Sequence, residues 1–153
     1  MLFRSLACSA GSLGWGFPGS IGVKLAAPNK RVVCFIGDGG FGYHLTELET
    51  ARRHDLPVVT LVINNGTLAF ERHDFVYFLG GKGYEAADYL DTNFAKISEA
   101  FGCYGRRVER PNEINDAVKE ALNSGKPAVV DIVTDPNEIG PVTDYEKYVP
   151  RTV

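Results

Sequence analysis

The chain has 153 residues, 44% hydrophobic and 23% charged, the composition of one ordinary globular domain with room for a proper core. A formal charge of -3 without any Lys/Arg cluster leaves no case for nucleic-acid binding, and the longest apolar stretches are far too short to cross a bilayer. Cys8, Cys34 and Cys103 are scattered and form no C-x-x-C pair; a reduced, cytoplasmic compartment is the simplest reading.

Met1 leads almost directly into the glycine-rich Gly11 segment, so residues 1–10 are expected to be a truncated or non-native start. Pro18 to Ala27 reads as a helix with Ile21 and Leu25 on one face, ended by Pro28-Asn29. Val32-Val33-Cys34-Phe35-Ile36 is short, apolar and β-branched, the pattern of a buried parallel strand. Leu45, Leu48, Glu49 and Arg52 fall at helical spacing and predict a helix over 41–54. A second buried strand follows at 58–63, where Pro57 is tolerated because the first residue need not donate to the ladder. Thr67 to Phe70 begins a short helix, and 72–92, aromatic and glycine-containing without a period, reads as a mobile loop. Then come a helix from Asn93 to Phe101, a strand from Tyr104 to Val108, a helix from Pro111 to Asn123 stopped at Gly125, and a strand from Ala128 to Val133. This alternation predicts an α/β fold, a doubly wound parallel sheet with helices on both faces. The domain is expected to span 11–136, leaving 137–153 as a tail on a neighbouring surface.

Chemistry gathers at two strand ends. The first strand runs into Gly37-Asp38-Gly39-Gly40, and the second ends about two dozen residues later in Asn64-Asn65. In a right-handed strand–helix–strand crossover both carboxyl ends open on one edge of the sheet, so Asp38 and Asn65 are expected to meet beside a helix N-terminus. A hard carboxylate, an amide oxygen and free backbone N–H groups suit Mg²⁺ carrying a diphosphate. Gly37 to Gly42 also satisfies the G-x-G-x-x-G dinucleotide fingerprint. That reading sets the Asp38 anion against a pyrophosphate and needs an acidic residue where Asn64-Asn65 stands, and a bridging cation removes both mismatches.

With GDG, the two-dozen-residue interval and NN, the chain resembles the C-terminal cofactor-binding domain of thiamine diphosphate enzymes. The resemblance is closest to the acetolactate synthase, pyruvate oxidase and 2-oxoacid decarboxylase group. Supporting stretches are GSLGWGFPGSIGVKLAAP, ELETARRHDLPVVTLVINNG, FAKISEAFG and GKPAVVDIVTDP.

The resemblance implies that Asp38, the Asn65 side-chain oxygen and the Thr67 carbonyl bind Mg²⁺. It also implies that the amides following Gly37, those of Gly39, Gly40 and Leu68, cradle phosphate. Gly11 would accept the aminopyrimidine amine on its carbonyl, and Leu13 would wedge between the two rings of the cofactor. Glu71, six positions after Asn65, stands where 2-oxoacid decarboxylases carry an active-site glutamate; a carboxylate there could relay a proton. The alternative is an exposed helix Glu paired with Arg72 or Lys82. His44 and His73 are weaker candidates, and surface or satisfied histidines are commoner.

The family's activating glutamate belongs to a pyrimidine-binding domain, usually of another subunit, and no residue here can be assigned that role. The expected partners are therefore that domain, a small 2-oxoacid substrate and further copies in a homo-oligomer, with no turnover by this chain alone. A stand-alone subunit of a two-chain decarboxylase and a non-catalytic module that kept the fold are the other readings. The intact Asp38, Asn65, Gly11 and Leu13 argue against the latter.

Overall fold

A computed structural model describes residues 12–138. Gly11, the first ten residues and most of the expected tail therefore lie outside the described residues. Four strands, β1 (Val32–Gly37), β2 (Val58–Asn64), β3 (Tyr104–Val108) and β4 (Ala128–Val133), form one sheet in the order β1-β2-β4-β3. Every pair is parallel, with Cys34 opposite Thr60, Val62 opposite Asp131 and Arg107 opposite Asp131. The helices are α1 (Gly16–Ala26), α2 (Asp38–Gly42), α3 (Glu47–Arg53), α4 (Ala69–Phe78), α5 (Phe94–Ala100) and α6 (Ile114–Asn123).

Strand alternation sorts the core into two layers. Val32, Cys34, Val58, Val62 and Val129 pack with Phe17 of α1, Phe41 of α2, Leu48 and Ala51 of α3 and Phe94 of α5. On the opposite face Val59, Val130 and Ile132 pack with Ala117 and Ala121 of α6. The α/β architecture with helices on both faces is thus observed. Cys34 and Cys103 are both buried, and that burial pushes their thiols up, the state of inert core cysteines.

Three expectations need correction. β1 reads as buried on both sides, yet Val33 is half exposed and Phe35 is 73% exposed. Only the face that meets α1 and α2 is covered among the described residues. Second, the single helix expected over 41–54 is two short ones. Glycines at 39, 40 and 42 lower helix propensity, and tight i→i+3 bonds carry the chain from His44 to Glu49. Third, the segment expected to be a mobile loop contains most of α4. Its apolar residues show no helical period, but tertiary contacts hold it: Arg72 donates to both oxygens of Asp88 and lies 4.5 Å over the Tyr84 ring.

At the N-terminus of α5, the Asn93 side chain accepts from the Lys96 amide at 2.9 Å, an ordinary cap. Pro111 opens a 3-10 turn, Pro111–Glu113, instead of the first turn of α6.

Candidate functional site

The two motif loops meet at Asp38. This residue begins α2 just past the end of β1, with only 5% of its surface exposed. Its Oδ1 accepts from the Gly39 amide at 2.9 Å and its Oδ2 from the Gly66 amide at 2.8 Å. The second bond joins the GDG loop directly to the NNG loop. Burial raises the Asp38 carboxyl above its ordinary value, and the Gly39 and Gly66 amides pull it partly back. A carboxylate offers about four lone-pair sites, so two accepted bonds leave acceptor capacity that a cation could use.

The paired asparagines point to different tasks. Asn64 is buried, and its Nδ2 donates to the Thr92 carbonyl and to Asp131 Oδ1, both at 2.9 Å. Asn65 remains in the loop, where its Oδ1 accepts from the Thr67 amide at 3.3 Å. Gly66 follows with φ +70°, a left-handed turn that swings the chain toward α4.

Residues 66–68 are then zipped to 87–89 by an isolated antiparallel bridge between Thr67 and Asp88. The Leu68 amide donates to the Ala87 carbonyl at 2.9 Å, the Thr67 hydroxyl to the same oxygen at 3.1 Å, and the Tyr89 amide to the Gly66 carbonyl at 2.7 Å. The Leu68 and Gly39 amides, both expected to face phosphate, thus each have a partner within the chain. The Gly39 amide faces the Asp38 carboxylate.

The first glycine-rich loop lies alongside. A Cβ on Gly40 would come within 3.9 Å of the Gly14 amide, and one on Gly14, at φ +95°, would strike His44 Cδ2 at 2.7 Å. Close backbone approach therefore seats the Leu13 loop beside the GDG loop, with Leu13 itself 47% exposed. His44 serves as packing for this loop. His73 is buried in α4, its Nε2 3.4 Å from the Pro136 carbonyl, on the side facing the end of the described chain.

Tyr89 is the residue that sequence reasoning missed. A Cβ on Gly39 would sit 3.1 Å from the Tyr89 hydroxyl and 2.7 Å from Leu68 Cδ2, so these two side chains roof the GDG loop. Burial raises the Tyr89 phenol, and the charges of Asp38 and Glu71 and the nearby Tyr43 add to that. Glu71 is exposed in the first turn of α4. The expected bland partner, Arg72, pairs with Asp88 at 2.7 Å instead. No spacing rule singles out Tyr89, since it stands in an aperiodic stretch and arrives by tertiary folding. Beside it, a cavity of about 380 Å³ opens along Asn65, Gly66, Arg72, Asp88, Tyr89 and Thr134.

This geometry is a pair of backbone loops around one buried carboxylate at the carboxyl edge of a parallel sheet, where open α/β folds bind ligands. Comparison with known proteins agrees with it. The family described as thiamine pyrophosphate enzyme, C-terminal TPP binding domain, matches residues 3–132. A probable acetolactate synthase large subunit from Methanococcus aeolicus is 39% identical over 127 residues, covering 83% of this chain and 21% of that protein. An acetolactate synthase from Bacillus subtilis is 36% identical over 127 residues, covering 81% and 21%. Among solved structures, a thiamine diphosphate-dependent 4-hydroxybenzoylformate decarboxylase from Rhodococcus jostii RHA1 superposes with a TM-score of 0.74 at 31% identity. It covers 80% of this chain and 23% of that one. The chain spans about a fifth of the length of the relatives it matches. With GDG and NN joined at Asp38 and the family matched over most of its length, the chain belongs to the thiamine pyrophosphate enzymes, as their C-terminal cofactor-binding domain.

Proposed function

We propose that this domain, taken as residues 11–136, holds the diphosphate of thiamine diphosphate through Mg²⁺ in an acetolactate synthase-like 2-oxoacid decarboxylase or carboligase of the cytoplasm. The observation that carries the reading is the buried Asp38 carboxylate, fixed between the GDG and NNG loops by the Gly39 and Gly66 amides. Its chemistry fits a small hard cation: one carboxylate, the Asn65 amide oxygen and the Thr67 carbonyl are all oxygen donors, and Mg²⁺ commonly takes few protein ligands and completes its shell with phosphate and water. The protein's own work is to hold the anion, to keep side chains out of the Gly39–Gly40 cradle, and to roof it with Leu68 and Tyr89. When bound, thiamine diphosphate supplies the nucleophilic carbon and the electron sink for carbonyl chemistry.

Glu71 is assigned as the proton-handling group at the open mouth of the site. Turnover requires a pyrimidine-binding domain, supplied elsewhere in the polypeptide or by a second subunit of a homo-oligomer, and a small 2-oxoacid as substrate. In an active assembly Glu71→Gln is expected to lower turnover about 10²–10⁴-fold. Unchanged turnover and product ratio would remove Glu71 from the chemistry.

The direct test of the site is thermal unfolding of the 153-residue chain with Mg²⁺ and thiamine diphosphate. At ligand concentrations about 100 times the Kd, stabilisation of about 2.7 kcal/mol is expected. It should require both ligands and disappear in Asp38→Ala. A folded wild-type chain with no shift at millimolar ligand, or a shift that survives Asp38→Ala, overturns the reading.

A further inference from the structure

We propose that the buried Asp131–Arg107 pair is a positioning device for the cofactor loop 65–68, holding the chain at both ends of the segment that builds the site. Asp131 stands on β4 with none of its surface exposed. Its Oδ1 accepts from Asn64 Nδ2 at 2.9 Å, and its Oδ2 from the Phe94 amide at 3.0 Å and Arg107 Nη1 at 3.1 Å. Arg107 reaches across from β3, donates to the Thr92 carbonyl at 3.2 Å and pairs with Asp91 at 2.7 Å. The Thr92 carbonyl also receives the second Asn64 hydrogen at 2.9 Å.

The connectivity gives this cluster its role. Asn64 is the residue immediately before the loop. Residues 91–94 follow, after Leu90, the segment 87–89 that covers the loop through the Leu68 and Tyr89 amide bonds. The loop and its cover are therefore clamped together at one buried carboxylate. A charge carried this deep is costly to bury, and an apolar pair would serve packing as well or better. What an apolar pair cannot do is accept from the Asn64 side chain and the Phe94 amide while donating to the Thr92 carbonyl, and so fix the register of the two segments. Asp131, Arg107 and Asn64 act through the loop and touch neither cation nor phosphate. They are positioning residues, and their functional part rests on the reading of the site given above.

The test uses the full chain with Asp131→Asn, which keeps shape but sets an NH2 in place of one carboxylate oxygen, against either the Asn64 amide or the Phe94 and Arg107 donors. Backbone hydrogen exchange is measured without ligand. Exchange of the Gly66, Leu68 and Tyr89 amides is expected to rise about tenfold or more, while the α1 amides hold their wild-type rates. Calorimetric Kd for thiamine diphosphate with Mg²⁺ is expected to weaken about 10–100-fold, the effect usual for groups that orient ligands. If Asp131→Asn does not fold, Asn64→Ala removes only the link between loop and ion pair and should show the same local signature. Loop exchange unchanged from wild type, or a rise spread evenly over α1 and the loop, overturns the proposal and leaves the pair a purely structural feature. A wild-type chain that binds no cofactor refutes the site reading, while the exchange data still decide the positioning role.

Discussion

Phe41→Ala is expected to remove about 3–5 kcal/mol of stability, the usual cost of deleting a fully buried aromatic ring. Phe41 has none of its surface exposed. Its ring meets Phe17 edge-on at 5.1 Å between centroids and Phe94 at 5.6 Å. One side chain therefore ties α1, α2 and α5 together over the sheet. Domains of this size are stable by about 5–15 kcal/mol in total, so the variant should sit near its unfolding threshold at physiological temperature. Phe41 lies one turn beyond Asp38 in the same short helix, so loss of the ring should also loosen the GDG loop. Urea unfolding of the cofactor-free chain reads the effect. A cost below about 1 kcal/mol would mean that the ring does not close the core as described.

Arg107→Met is expected to cost a similar amount, about 3–5 kcal/mol, for an electrostatic reason. Met preserves most of the side-chain volume but leaves Asp131, fully buried, with only the Asn64 amide and the Phe94 N–H to offset its charge. The outer partners Asp91 and Glu109 are exposed at 81% and 70% and can return to water, so their loss matters little. Replacing both members, Arg107→Met with Asp131→Leu, should recover much of the loss, since an apolar pair in a buried setting is often neutral or stabilising. Equal stability of wild type and the single variant in urea would show that Arg107 does not offset the buried Asp131 as described.

The GDG and NN motifs specify the cofactor loops in sequence because each is a local solution: a short strand, a tight turn and a carboxylate or amide at a fixed offset. Asp38 and the Asn65 loop duly meet. The same locality explains the gaps. Ala87, whose carbonyl accepts from the Leu68 amide, arrives from a stretch with no period to read. Tyr89 comes with it. Asn64 and Asn65 are indistinguishable in sequence, and only the position of Asp131, brought opposite Val62 by strand pairing, turns one inward and leaves the other at the loop.

The four strands of the described sheet, the helices between them, and the meeting of the Asp38 and Asn65 loops at the sheet's carboxyl edge are legible from local pattern, because strand period and turn chemistry are short-range properties. Only tertiary contacts left Phe35 exposed on an outer strand of the described sheet, carried α4 on from its expected start to Phe78, and brought Arg107 against Asp131. Those outcomes depend on which distant segments share a layer, and burial energy between such segments leaves no periodic mark in either of them.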